Sequence, residues 1–391
     1  MRTQLDFVYI GIHFLPSLST EMSDKPRYLS LDVFRGATVF LMIIVNNPGE
    51  WGAQYGPIQH APWHGFTLTD LVFPSFLFAV GNAMAFVMKK FQQNGEVYFW
   101  KKVFKRTVLI FLIGVLLNWF PFYDFGSGSF YPFSELRIFG VLQRIALCYL
   151  FASIIIHYSN AIRPIVVISS VMLLAYWGVV YVFGSNEPYS LTGFIGNDLD
   201  LWLVGQNHVY HGEGQPFDPE GLLSTIPAVV NVLLGYLTGA YLVARGNSYD
   251  VITKLLVCGC LLILGGLFWD LFFPINKKIW TSSYVLLTSG MCVVAIAILS
   301  YWIELAGNRK GAYFFEVFGK NPLFIYAFSW VLSVVFSTIQ IGSLSLHGHI
   351  YQSFKYFLDP VHASFLYALV FTLLNWLVGY YLDKRGIYIK V

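Results

Sequence analysis

The residues of this chain with chemistry to offer are a loop histidine, an asparagine just before it and a set of charges inside apolar runs. His60 lies in the stretch 49–66 (GEWGAQYGPIQHAPWHGF), which contains no Lys or Arg and separates two long apolar runs. A neutral imidazole exchanges a proton near physiological pH, and here the loop holds one at the outer mouth of a helical bundle. Asn46 ends the first run, and Thr67, Thr69 and Asp70 open the second. Pro74 is expected to kink that second run and widen a crevice beside His60. Further along stand Gln143 and Arg144, near the middle of a fourth run, and Glu316, Lys320, Asn321 and Pro322 in a ninth.

Ionisable groups in lipid are costly, so they face the bundle interior and pair with one another or with a ligand. Asp32 and Arg35, spaced i,i+3, pair on one helix face near its cytoplasmic end. Arg144 and Lys320 are open to two readings. Either they pair between helices, with Asp270 a candidate partner, or they form a basic lining that draws in a phosphorylated ligand from the cytoplasm.

The elements that must position these groups follow from composition. With 57% hydrophobic, 18% aromatic and 12% charged residues over 391 positions and a mean hydropathy of +0.62, the chain carries too much apolar surface for a soluble domain. A spanning helix needs about 20 mostly apolar residues. Ten segments qualify: 29–48, 67–88, 103–121, 136–156, 162–184, 221–244, 251–273, 279–303, 312–338 and 361–382. The expected fold is an all-α polytopic membrane bundle of about ten transmembrane helices. The net charge of +3 does not indicate nucleic acid, because the basic residues divide by membrane side. The even connections and the two ends carry Lys25, Arg27, Lys89, Lys90, Lys101, Lys102, Lys105, Arg106, Arg163, Arg245, Lys254, Arg309, Lys310, Lys384, Arg385 and Lys390. The opposite side has Arg137, Lys277, Lys278 and Lys355. The positive-inside rule then puts both termini in the cytoplasm and the His60 loop outside.

Residues 1–26 read as a flexible or surface-lying extension, since they lack a clean apolar core and a cleavage site. The inner connections are short, whereas the outer ones at 49–66, 122–135, 185–220 and 339–360 are longer. The 185–220 segment, rich in Gly, Asn, Asp, His and Pro, reads as an ordered cap or a substrate-facing loop. Asp218 and Glu220 could bind an ammonium or hydroxyls there, with Asn207 and His208 adding hydrogen bonds. Equally, Asp218 followed by Pro219 marks a helix start. The outer histidines in HVYH and HGH lack the cysteines and carboxylates that would complete a zinc set, so no metal is expected.

The runs RYLSLDVFRGATVFLMIIVNN (27–47), QHAPWHGFTLTDLVFPSFLF (59–78) and LRIFGVLQRIALCY (136–149) closely resemble the heparan-α-glucosaminide N-acetyltransferase family of membrane acyltransferases. FDPEGLLSTIPAVVN (217–231), INKKIWTSSYVLLTSG (275–290) and GKNPLFIY (319–326) continue the resemblance, which covers the chain from Arg27 onward, so 27–391 is expected to be one acyltransferase domain. The resemblance implies transfer of an acetyl group from cytoplasmic acetyl-CoA, across the bilayer, to the amine of a glucosamine on the far side. It assigns acetyl transfer to the histidine of His-Ala-x-Trp, here His60, and places Asn46 at the active site. Pro62 and His64 stand where the lysosomal relative has other residues.

On this reading His60 acts as base, with the Asn46 amide a donor to the oxyanion, or is itself transiently acetylated. Arg35, Gln143, Arg144 and Lys320 would meet acetyl-CoA along its route. Asp70, Asn207, His208, Asp218 and Glu220 would meet the acceptor. An amino-sugar transporter without acyl transfer is the alternative. Short inner loops without a lysosomal targeting feature suggest a bacterial inner membrane. Surrounding lipid and a second copy of the chain are the other expected partners, since the aromatic-rich helix surfaces would permit a homodimer.

Overall fold

A computed structural model describes residues 28–159 and 161–389. The expected extension over 1–26, together with Arg27 and Lys390, lies outside the described residues. Among the described residues thirteen α-helices follow in chain order. The first seven are α1 (Leu29–Asn46), α2 (Leu68–Gln93), α3 (Glu96–Trp119), α4 (Val141–Tyr158), α5 (Ile162–Phe183), α6 (Ile195–Val204) and α7 (Leu222–Arg245). The other six are α8 (Tyr249–Asp270), α9 (Ser282–Leu299), α10 (Ala312–Lys320), α11 (Pro322–Thr338), α12 (Leu346–Lys355) and α13 (Pro360–Lys384). Two small hairpins, β1 (Tyr123–Asp124) with β2 (Ser129–Phe130) and β3 (Gln340–Ile341) with β4 (Leu344–Ser345), decorate the outer connections.

The protein is an all-α integral membrane protein. Among the described residues eight helices are long and apolar enough to cross a bilayer. The pair α10 and α11, bent by 83°, passes the same test only when taken together, as a broken span or a re-entrant segment. The segment expected as one continuous helix over 312–338 is therefore broken. Pro322 lacks the N–H that a continuing helix would use and disfavours a helical residue before it, and Asn321 accordingly leaves the helical region at φ −130° and ψ 50°. The tenth expected segment is α3. Its first half carries Lys101, Lys102, Lys105 and Arg106 on the basic, inner side, and its far end is fixed outside by Asn118, whose amide donates to the carbonyls of Arg137 and Phe139 at 3.0 Å.

Lipid offers no hydrogen-bond partners, so polar side chains inside the spans turn back on their own backbone. Thr38 donates to Phe34 O at 2.9 Å, Ser75 to Leu71 O at 2.7 Å and Thr372 to Ala368 O at 2.7 Å. At the centre of the bundle α2 packs along α7. The contact is backbone against backbone, because Gly81 faces the Val232 carbonyl while Gly235 faces that of Phe78. A Cβ at Gly81 would stand 1.9 Å from the Val232 oxygen, and one at Gly235 would stand 2.1 Å from the Phe78 oxygen. Only small residues permit such an approach.

Gly81→Val should therefore force α2 and α7 apart and destabilise the protein by about 1–3 kcal/mol or more, as overpacked cores do. The check is a fall in the thermal transition of the detergent-purified protein. Leu261→Val is the control, because Leu261 is 64% exposed on the lipid-facing side of α8 and its replacement should leave the transition in place.

Candidate active site

The site grows from the N-terminus of α2. Thr67 caps the helix, and Asp70 closes the capping box by accepting from the Thr67 backbone N–H at 3.0 Å. The same carboxylate oxygen, Oδ2, also accepts from the Ala61 N–H at 3.1 Å and lies 3.0 Å from the Thr67 hydroxyl. The other oxygen, Oδ1, is 2.7 Å from His60 Nδ1. Asp70 is 1% exposed, so its charge persists only because these donors and the positive end of the helix compensate it. Pro74 contributes in a further way. It cannot donate to the carbonyl four residues earlier, which is that of Asp70, and the Tyr284 hydroxyl donates to this freed oxygen at 2.5 Å. The proline expected to kink α2 thus sits within one continuous helix and lets α9 clamp the residue that orients His60.

Donation from His60 Nδ1 to Asp70 leaves Nε2 as the basic ring nitrogen. The ring is half-buried, with 38% of its side chain exposed. Burial pushes its pKa below the ordinary histidine value, hydrogen bonding to Asp70 opposes that shift, and the neighbouring Lys277 adds to it. The shift favours the neutral imidazole, the form able to accept a proton.

His60 and Asp70 open on a cavity of about 340 Å³ that Asn46 also lines. Its walls are Trp51, Trp63, Trp280, Tyr210, Tyr326 and Trp330, interrupted by Lys277, Lys278, Glu213, Glu220 and Arg137. Aromatic faces with a few convergent charged groups are the usual lining of a small-molecule site. Asn46, exposed at the end of α1, stands between this space and a smaller one of about 80 Å³ bounded by Ser329, Ser333 and Val334.

A family model described as heparan-alpha-glucosaminide N-acetyltransferase, catalytic, matches residues 27–265. The chain belongs to this family. The human heparan-alpha-glucosaminide N-acetyltransferase is 28% identical over 355 residues, covering 77% of this chain and 52% of the human protein. The mouse heparan-alpha-glucosaminide N-acetyltransferase is 28% identical over 372 residues, covering 81% and 55%. The chain thus spans about half the length of the curated relatives it matches. His60, Asn46, Asp70, Arg137 and Glu220 all fall inside the stretch matched to the acetyltransferase family, whereas Lys277, Lys278 and Trp280 lie beyond it.

Of the acceptor-side expectations in this acetyltransferase-family chain, Glu220 reaches the cavity, while Asp218 serves Arg137. The Arg137 guanidinium grips Asp218 with two bonds of 2.9 and 2.7 Å and reaches Glu220 Oε2 at 2.6 Å. Asp218, 2% exposed, also accepts from the Tyr210 and Glu220 N–H groups, so it organises the loop that carries Glu220. Asn207 is exposed on the short turn Gln206–His208, and His208 Nδ1 is spent on the Leu136 carbonyl at 2.6 Å. Neither lines the cavity.

The four residues expected along the acetyl-CoA route divide into two places. Gln143 and Arg144 stand in the first turn of α4, near the outer side and not at mid-membrane, because α4 begins only at Val141. Arg144 is fully buried, donates to the Gly221 carbonyl at 3.0 Å and to the Ser224 hydroxyl, and lies 4.9 Å from the Trp280 ring centre, behind the cavity wall. Arg35 and Lys320 belong to the inner half, where Arg35 pairs with Asp32 and Lys320 with Glu316 at 3.2 Å and Asp383 at 2.8 Å. Asp270 is no partner of these cations, since its carboxylate accepts from the Ile275 N–H at 2.6 Å. Among the described residues no three His, Cys, Asp or Glu side chains gather to hold a metal ion.

Lys277, Lys278, Arg137 and Glu213 are charged cavity residues that the sequence reading did not assign to the site, and the two lysines are the pair nearest to carrying a signal. Lys277 and Lys278 make up half of the basic residues assigned to the outer side, where such residues are sparse. Lys278 pairs with Glu213 beside the Trp63 ring.

Replacing Arg137 by Met leaves the buried Asp218 carboxylate and the partly exposed Glu220 carboxylate without their shared cation. Removal of one partner from a buried pair costs about 3–5 kcal/mol. The Arg137→Met protein should melt at a lower temperature, and Arg137→Met combined with Asp218→Asn should recover part of that loss.

Proposed function

We propose that the protein is a membrane N-acetyltransferase that moves an acetyl group from cytoplasmic acetyl-CoA to the amine of a glucosamine-type sugar on the extracytoplasmic side. The observation that carries this reading is the His60–Asp70 pair opening on an outer aromatic-walled cavity, in a chain of the heparan-alpha-glucosaminide N-acetyltransferase family. On this reading residues 27–391 act as one acyltransferase domain in a bacterial inner membrane, and acetyl-CoA supplies an activated thioester.

Amine acetylation needs a base and a donor for the charge that builds on the carbonyl oxygen. His60 Nε2, unprotonated because Nδ1 faces Asp70, takes the amine proton, or attacks the thioester first and carries the acetyl group across. The Asn46 amide, which lines the same cavity, is the neutral donor. Tryptophan and tyrosine faces fit the apolar face of a sugar ring, and Glu220 and Glu213 fit its ammonium and hydroxyls. Arg35 suits the donor's phosphates or amide carbonyls from the inner side, because its buried Nε has no partner among the described residues.

The test is acetyl-CoA turnover by purified protein against a panel of amino sugars. Release of CoA with formation of the N-acetyl sugar is expected, whereas a transporter would carry labelled sugar into vesicles unchanged and without acetyl-CoA. His60→Ala should lower turnover about 10²–10⁴-fold while the protein stays folded. In the wild type, activity should fall as pH drops through a value below the ordinary histidine range, because protonated His60 can no longer accept a proton. Asp70→Asn should lose turnover through disorientation of the ring. Normal turnover by the His60→Ala protein would remove the role given to this residue.

A further inference from the structure

Lys277 lines the same cavity as His60 and Asn46, on a turn held by its neighbours. Asn276, fully buried, accepts from the Lys278 and Ile279 N–H groups through its side chain at 2.7 and 3.1 Å, and its own N–H donates to the Thr281 hydroxyl at 3.0 Å. Trp280 completes the turn with φ +52°, a left-handed conformation that a bulky side chain adopts only under constraint. The strained tryptophan forms cavity wall on one side and stacks on Arg144 on the other, so the turn cannot shift without loss of both contacts.

From this turn the Lys277 ammonium reaches 3.2 Å from His60 Nδ1, 3.4 Å from His60 Nε2 and 3.8 Å from Asp70 Oδ1. Being nearly equidistant from the two ring nitrogens, it serves neither lone pair alone, and Asp70 remains the closer partner of Nδ1 at 2.7 Å. A structural ion pair would bring the ammonium onto the carboxylate. Here it stands beside the imidazole, and Lys277 lines the same cavity as Asn46 and Glu220.

We propose that Lys277 is a catalytic residue whose ammonium binds the thioester carbonyl oxygen and stabilises the negative charge that forms there as the amine adds. The proposal rests on the acetyltransferase reading above and deepens it. In the step, His60 Nε2 removes a proton from the attacking amine as the new C–N bond forms. The oxygen gains charge against Lys277, then the C–S bond breaks and the sulfur leaves with the proton that His60 took from the amine, so that His60 and Lys277 both end as they began. A second effect follows from the same proximity. The charged groups facing Lys277 are His60, Asp70, Lys278, Glu220 and Arg144. Burial holds its pKa below the ordinary lysine value, against the pull of Asp70 and Glu220. Its charge in turn disfavours protonation of His60. A cation held in a partly buried site acts on developing charge more strongly than one in bulk water.

The test compares wild type, Lys277→Met and Lys277→Arg by steady-state kinetics over a pH series and by NMR titration of the labelled His60 imidazole. Lys277→Met should lower kcat about 10²–10³-fold, the usual loss for one oxyanion donor, with acceptor KM changed only a few-fold. Its His60 should titrate at higher pH than in the wild type, moving the acid limb of the rate profile the same way. Lys277→Arg keeps the charge but does not titrate in the working range, so it should recover part of the rate and lose the alkaline limb. A kcat within threefold of wild type, a loss confined to KM, or an alkaline limb unchanged in Lys277→Arg would each overturn the proposal. If Lys277→Met does not fold, the Lys277→Arg profile alone decides. A wild-type protein that releases no CoA with any amino sugar would instead overturn the function, and the His60 titration would still read whether Lys277 acts on the imidazole.

Discussion

A carboxylate kept ionised at the first turn of a membrane helix is the constraint on which the site depends. Asp70 is almost wholly buried at the head of α2, where three donors converge on Oδ2 and His60 takes Oδ1. A bare carboxylate in such a place would neutralise itself by taking up a proton. The helix N-terminus, the capping box and the loop amide of Ala61 together replace the lost water. Each of these also restrains the 49–66 loop, so compensating the charge and fixing the histidine are one physical act.

The constraint reaches further through Pro74. In a water-soluble helix a proline in the second turn leaves a carbonyl to solvent, but a bundle core must satisfy it from within. The carbonyl left over is that of Asp70, and Tyr284 on α9 supplies the hydroxyl. The next helical turns of α2 lie hard against α7 through Gly81 and Gly235. α2 is therefore held from two sides, and the connection entering α9, held by Asn276, carries Lys277 and Trp280 to the same cavity.

Much of this was legible in the sequence because lipid leaves a chain few options. Each of the ten apolar segments corresponds to a helix or, over 312–338, to a bent pair of helices, since hydropathy of that length has no other stable outcome in a bilayer. The break at Asn321 was foreshadowed only by Pro322. Single residues were less legible because their partners are remote. Asp70 stood out as a charge at a span's mouth, yet nothing local says that its partner is His60 rather than a substrate. Asp218 and Glu220 looked available for a ligand until Arg137, more than eighty positions away, was seen to hold them. Lys277, 217 positions from His60, carried the faintest signal, an excess of positive charge on the side where such charge is sparse. Pairings of this span are set by tertiary packing, which composition and periodicity do not encode.

The placement of charge also divides the molecule by side. In the inner half, Arg35 is matched by Asp32, and Lys320 is matched by Glu316 and Asp383. Around the outer cavity Lys278 is matched by Glu213, but the remaining charges share their partners. Lys277 shares one carboxylate with a histidine, and Glu220 shares one guanidinium with Asp218. A shared counter-ion leaves each group partly uncompensated, and such groups have interaction energy left to give to a third party. A polar solute entering this space would meet them without first breaking a closed ion pair. The desolvation cost of the site is then recovered only when something charged or strongly polar fills it, which is the condition for binding reacting groups better than the water they displace.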